Sequence, residues 1–148
     1  STQNRIPAGK LKNVGTSAAV LSDLVKRLIE HLGQWCIEKV ILSKQPDFIE
    51  KNQIILDADK VGNIVLRYWK AGDRFSPRGI NGSKKLARVM RDLHISAGER
   101  RIWPLVADEN HIYWIAFLRG SNYGLPDKNT KKYLLITLKK ENREDEES

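Results

Sequence analysis

Ten basic residues fall between Arg67 and Arg101: Arg67, Lys70, Arg74, Arg78, Lys84, Lys85, Arg88, Arg91, Arg100 and Arg101. Only Asp73, Asp92 and Glu99 oppose them, which leaves this quarter of the chain at +7. Cations gathered in one stretch are suited to neutralising a polyanion, because each phosphate they contact releases condensed counterions. Gly72, Pro77, Gly79 and Gly82 punctuate the same stretch and are residue types that shape loops.

Other chemistry finds less support. His31, His94 and His111 lie in unrelated segments, and no two are spaced to share a face. Cys36 is the only cysteine, so an internal disulfide and a zinc site built on paired cysteines are both excluded. Set between Trp35 and Ile37 in an extended segment, it reads as a buried, inert thiol. Asp57 and Asp59 flank Ala58 at the end of an extended run, where turn formation is a more frequent role than metal binding or acid–base catalysis. No glycine-rich nucleotide loop, nucleophile elbow or metal-ligand helix is present. The expectation is a chain with no catalytic residue, no metal and no cofactor of its own, and an independent enzyme ranks last among the readings.

The elements that must position the bases follow from periodicity. Leu21, Leu24, Val25, Leu28, Ile29 and Leu32 form one apolar stripe at helical spacing, so residues 17–33 read as an amphipathic helix. Thr16 or Ser17 can cap its start and Gly33 its end. Residues 35–42, 53–57, 63–69 and 133–138 are short, rich in β-branched and aromatic side chains, and read as strands. Residues 102–106 and 111–117 read as a hairpin across Asp108, Glu109 and Asn110. Residues 71–82 and 120–130 read as loops. A short helix is expected over residues 83–93, where Leu86, Val89, Met90 and Leu93 share a face and Lys84, Lys85, Arg88 and Arg91 cover the rest. Ser83 would cap it, leaving two lysines beside free backbone N–H groups at its start. Tyr68, Trp69, Trp103, Tyr113 and Trp114 offer stacking surfaces, but strand positions in a small sheet more often make core wall. Trp69, beside Lys70 at the mouth of the basic loop, is the one best placed to touch a bound ligand.

The fold class expected is α+β: a small β-rich domain with one short basic helix, preceded by the amphipathic N-terminal helix. The chain has 148 residues, 41% apolar and 30% charged, enough for a folded core. No apolar run reaches the eighteen or so residues of a membrane helix, and residues 1–15 hold no secretory signal. The net charge is +8, while the last ten residues hold three bases and five acids. The organisation expected is a flexible tail at 1–16, the N-terminal helix and first strand at 17–48, the main domain at 49–138, and a charged, mainly acidic tail at 139–148.

The basic stretch resembles a known family. The run Arg67-Tyr68-Trp69-Lys70-Ala71-Gly72-Asp73-Arg74-Phe75 is followed by Pro77, Gly79 and Gly82, then by Lys84-Lys85-Leu86, Asp92, Ile95, Arg100 or Arg101, Pro104-Leu105 and Ile112 to Trp114. In this order and spacing the residues are similar to the C-terminal domain of tRNA(Ile)-lysidine synthetase, over about residues 53–138. Some positions depart from it. His94-Ile95-Ser96 stands where the family usually has Lys-Ile-Pro, Met90 where a Phe is common, and Phe117 where a glycine precedes Leu118-Arg119.

The resemblance implies a domain that helps to hold tRNA while a separate ATP-dependent domain joins lysine to the anticodon cytidine. That catalytic half carries a Ser-Gly-Gly-x-Asp-Ser phosphate loop, which has no match here. The chain is then either an excised C-terminal piece of such a ligase or a diverged stand-alone relative. By the resemblance, Arg74, Lys84, Lys85 and Arg100 or Arg101 carry over as RNA contacts, and Gly72, Asp73, Pro77, Gly79 and Gly82 shape the loop that presents them. Asp73 would either accept bonds from loop N–H groups or pair with Arg74.

The leading expectation is a non-catalytic module that grips tRNA or another structured RNA by its phosphates. The alternative is an interaction subunit of a larger assembly, docked through Leu21, Leu24, Val25 and Leu28. No membrane partner is expected, and the expected compartment is the cytoplasm or an organelle of bacterial descent.

Overall fold

A computed structural model describes residues 35–140. The expected helix at 17–33, with its proposed docking residues Leu21, Leu24, Val25 and Leu28, lies outside the described residues, as do the tails at 1–16 and 141–148. In chain order the strands are β1 (Trp35–Leu42), β2 (Gln53–Asp57), β3 (Val65–Arg67), β4 (Arg74–Phe75), β5 (Lys84–Lys85), β6 (Leu105–Ala107), β7 (Ile112–Ile115), β8 (Arg119–Gly120) and β9 (Tyr133–Lys140). Among the described residues one α-helix, α1 (Leu86–Asp92), accompanies them.

Strand β9 is the centre of a three-stranded antiparallel sheet ordered β1-β9-β2. β1 pairs along all of it, from Trp35 opposite Lys140 to Leu42 opposite Tyr133. The strand runs through Lys139 and Lys140, where the sequence reading had begun a charged tail. Leu134, Ile136 and Leu138 alternate along β9, and Ile54 and Leu56 along β2, so one face of the sheet is apolar and buried. The second sheet is ordered β3-β6-β7-β8. Every residue of β6 and β7 is buried, as expected of inner strands covered on both faces. Trp103, Tyr113 and Trp114 belong to this core. A third, two-stranded ribbon pairs β4 with β5.

Two carboxylates fasten the ends of strands. Asp108 sits in the turn between β6 and β7, where its Oδ1 accepts the N–H of Asn110 and His111, each at 2.8 Å. Its Oδ2 accepts the Gly62 N–H at 2.8 Å and the Tyr113 hydroxyl at 2.6 Å. Burial alone would raise this carboxyl, but the Tyr113, Gly62, His111 and Asn110 donors overcome it and hold the pKa at about 2. Asp57 takes the turn-forming role expected of it. Its Oδ1 accepts the Asp59 N–H at 2.9 Å and its Oδ2 the Thr130 hydroxyl at 2.6 Å.

Several boundaries differ from the sequence reading. The helix begins at Leu86, not residue 83, because Lys84 and Lys85 are drawn into the ribbon opposite Phe75 and Arg74. Ser83 therefore does not cap the helix, whose cap position is Lys85, with no side-chain cap hydrogen bond. The span 71–82, read as loop, contains β4. The strand expected at 63–69 shortens to Val65–Arg67, since Tyr68 and Trp69 lead into a tight turn. The strand expected from residue 102 begins at Leu105, after a 3₁₀ turn at Glu99–Arg101 and then Pro104. Cys36 lies in β1 as expected, but it is exposed rather than buried. Among the described residues, no helix is long and apolar enough to cross a membrane.

Candidate nucleic-acid interface

The basic stretch is built on two glycine turns. The Asp73 N–H donates to the Lys70 carbonyl at 3.1 Å, and Gly72 at the third position has φ +89°. Pro77 to Ile80 repeats the arrangement, with the Ile80 N–H on the Pro77 carbonyl at 3.1 Å and Gly79 at φ +83°. A positive φ at that position is the type II geometry that glycine adopts without strain. In each turn the residue before the glycine, Ala71 or Arg78, is at the exposed tip.

Asp73 locks the first turn. It accepts the Lys70 N–H at 2.8 Å and two N–H bonds from Arg67, at 2.9 and 3.1 Å. Burial alone would raise its carboxyl; the Arg67 and Lys70 hydrogen bonds and their charges outweigh that and hold it below the usual carboxylate range. Of the two roles expected for Asp73, the acceptance of loop N–H groups is present. Its charged partner is Arg67, not Arg74. Its carbonyl also accepts the Leu86 N–H at 2.8 Å, tying the turn to the first residue of α1.

The ribbon decides where the next cations go. Arg74 is directly opposite Lys85, and Phe75 opposite Lys84. Cross-strand partners share a face and neighbours along a strand alternate, so Lys84 and Lys85 point to opposite sides. Phe75 is buried and Lys84 half-buried on one side; Arg74 and Lys85 are exposed on the other. Arg74 is held upright by Ser83, with Nε donating to Oγ and Nη2 to the carbonyl, each at 2.9 Å.

The other cations are less tied to one another. Arg88 and Arg91 are exposed on α1, Lys70 and Arg78 at the turns, and Arg101 in the 3₁₀ turn. Arg100 lies over the face of Trp69, 5.0 Å from the ring centroid, so the indole is covered by the protein's own guanidinium. Tyr68 is the exposed aromatic of the stretch. Of the ten bases, Arg67 is paired with a carboxylate; among the described residues none of the other nine has one within 4.0 Å. Among the described residues there is also no cluster of three or more His, Cys, Asp or Glu suited to a metal.

Two residues join the site from far along the chain. Asn122 holds the second turn. Its Nδ2 donates to the Pro77 and Ile80 carbonyls, each at 2.8 Å, and its Oδ1 accepts the Gly79 N–H at 2.9 Å. Arg119, in β8, donates through Nη2 to the Arg78 carbonyl at 3.0 Å. Sequence reasoning assigned neither residue a role in the site. The Phe117-Leu118-Arg119 motif was the one signal that pointed to Arg119; nothing local distinguishes Asn122.

Residues 64–136 match the family model described as the TilS substrate C-terminal domain. The tRNA(Ile)-lysidine synthase of Caldanaerobacter subterraneus subsp. tengcongensis is 40% identical over 115 residues, which cover 76% of this chain and 25% of that protein. The corresponding enzyme of Clostridium acetobutylicum is 40% identical over 92 residues, 62% of this chain and 20% of that protein. The match thus spans about a quarter or less of the length of these relatives. A crystal structure of a TilS C-terminal domain superposes with a TM-score of 0.62 at 24% identity, covering 73% of this chain and 85% of that one. It has the same fold.

Proposed function

Residues 64–136 form a TilS C-terminal-like domain, and from that premise we propose that this chain is a non-catalytic module that grips tRNA through its phosphates. One observation carries the reading most of the way. Arg74 and Lys85 face each other across a two-stranded ribbon, both exposed, and among the described residues no carboxylate lies near either. Like charges placed directly opposite destabilise a ribbon, so an anion that bridges them returns what the isolated fold gives up.

The proposed contacts are Lys70, Arg74, Arg78, Lys84, Lys85, Arg88, Arg91 and Arg101, with Arg119 added to them. Arg67 serves the turn through Asp73, and Arg100 stacks on Trp69, so both act by shaping the surface. Gly72 and Asp73 hold the first turn and Pro77 and Gly79 the second, and Gly82, at φ +83°, shapes the chain before β5. Contacts dominated by phosphate suit an A-form stem, whose deep groove hides its base edges. The relatives are named as lysidine synthases, so their tRNA is the substrate class we assign here. The ligase chemistry would belong to a separate catalytic domain, attached or supplied in trans.

Binding of the whole chain to bulk tRNA and to duplex DNA at several salt concentrations tests the proposal. With four or five of these nine side chains on phosphates at once, the slope of log K against log salt is roughly −3 to −4, with tRNA preferred. A chain that binds no tRNA at low salt overturns it.

A further inference from the structure

Arg78 and Arg119 form a second like-charged pair, assembled across a separation of 41 residues. Arg119 donates to the Arg78 carbonyl at 3.0 Å, and Arg78 Nε donates to the Ser121 carbonyl at 3.3 Å. The Arg78 guanidinium is packed over Gly120 so closely that a Cβ at that glycine would stand 2.7 Å from Nη2. Burial, and secondarily the charge of Arg119, press the Arg78 pKa downward. Among the described residues no carboxylate pairs with either guanidinium. Beside them is a cavity of about 130 Å³, lined by Pro77, Ile80, Lys84, Asp92 and Arg119 among others. The cavity opens to solvent, so a sugar can rest in it without being enclosed.

We propose that this cavity is a ribonucleotide subsite, taking a backbone phosphate on Arg119 and Lys84 and its ribose against Pro77 and Ile80, with the Asp92 carboxylate accepting a hydrogen bond from the 2′-hydroxyl. The proposal rests on the RNA-binding reading and assigns its sugar selectivity. Arg119 and Lys84 line the cavity together, and charge-assisted bonds to a phosphate replace their mutual repulsion. Asp92 is the informative residue. A carboxylate repels a bare phosphate, whereas an ionised carboxylate is an acceptor only and so is matched to a hydroxyl donor. The 2′-hydroxyl is the group that separates RNA from DNA at such a site.

The test uses the full chain, an RNA hairpin, and the all-2′-deoxy hairpin of the same sequence. Arg119→Gln should weaken RNA binding about tenfold, as expected for one charged hydrogen-bonding group. Asp92→Ala should weaken RNA binding about fivefold, the loss of one modest hydrogen bond, while leaving the deoxy hairpin unchanged or tighter. Asp92 ends α1, where a negative charge opposes the helix dipole, so alanine there should not impair folding. Asp92→Ala that tightens both hairpins equally would overturn the proposal, as would Arg119→Gln with full RNA affinity. In both cases wild-type RNA binding, and with it the broader reading, survives. A wild-type chain that binds neither hairpin overturns both together. If inorganic phosphate shifts the Arg119 side-chain NMR signal and the RNA hairpin does not, the site is a free-anion site and the ribonucleotide assignment fails.

Discussion

The Arg67 guanidinium meets the Asp73 carboxylate at two points, Nη1 to Oδ2 at 2.9 Å and Nη2 to Oδ1 at 3.1 Å. Arg67 ends β3 and Asp73 ends the turn that follows, so the pair fixes the angle at which the chain leaves the sheet for the ribbon. Because Asp73 also accepts the Lys70 N–H, its removal leaves three donors without their acceptor. Asp73→Ala should cost about 2 kcal/mol of unfolding free energy, at the usual scale for charged hydrogen bonds that are half-buried. Equilibrium denaturation measures this directly, and a variant of native stability would refute the role.

Arg67 and Lys85 should behave differently toward RNA, although both are basic and lie in the same stretch. Lys85→Ala together with Arg88→Ala should make the salt slope shallower by about 2 and leave the denaturation midpoint in place or slightly raised, because both side chains are exposed, neither has a carboxylate partner among the described residues, and loss of Lys85 relieves its repulsion with Arg74. Arg67→Ala should lower stability while leaving the slope near its original value. Titrations at several salt concentrations, run beside thermal melts, separate the two behaviours; equal slopes in all three proteins would remove Lys85 and Arg88 from the surface.

Asp108 sets an acid limit on stability. Its folded pKa of about 2 lies below the ordinary 3.8. A depressed carboxylate stabilises the fold fully above its unfolded value and loses that contribution as pH falls from about 4 toward 2. The amount at neutral pH is on the order of 2 kcal/mol. Asp108→Asn should therefore be less stable at pH 7 and flatten the stability curve below pH 4. A variant whose acid limb tracks the wild type would show that other carboxylates govern the transition.

Phe117 is held at φ +70°, in a turn where the Leu118 N–H donates to the Ile115 carbonyl at 2.9 Å. Its ring lies 5.6 Å from Trp35 and 6.0 Å from Trp114, so packing compensates a backbone that side chains disfavour. Phe117→Ala loses the ring and keeps the strain; Phe117→Gly loses the ring and relieves the strain. The glycine variant should be the more stable of the two by about 1 kcal/mol, the reverse of the usual order. Denaturation of the two variants side by side checks this, and an alanine variant at least as stable would show that the turn carries no strain.

The strands β1 and β2 were legible at their full length because they are short runs rich in Ile, Val and aromatic side chains, set off by polar or Gly/Pro neighbours, and such side chains fit a pleated surface wherever it lies. The apolar spacing of Leu86, Val89 and Met90 likewise announced a helix and its buried face. Asp57 and Asp73 declared their turns, since a short carboxylate satisfies nearby N–H groups wherever the fold places it. The concentration of charge between Arg67 and Arg101 is also a property of the sequence alone.

What tertiary structure decided is which cations share a surface. Lys84 and Lys85 are neighbours that spacing would put together at a helix start, yet pairing with Phe75 and Arg74 sends them to opposite sides of a ribbon. Arg67 is one more cation of the stretch in sequence, and only the turn shows that Asp73 comes back to pair with it. Arg119 and Asn122 entered the site through β8 and the loop after it, from more than forty residues away. A sequence records spacing along the chain, and spacing predicts only contacts made within an element or a turn. Pairing between distant strands is selected by burial of the whole core, so the partners of Arg78 become visible only when the sheet is closed.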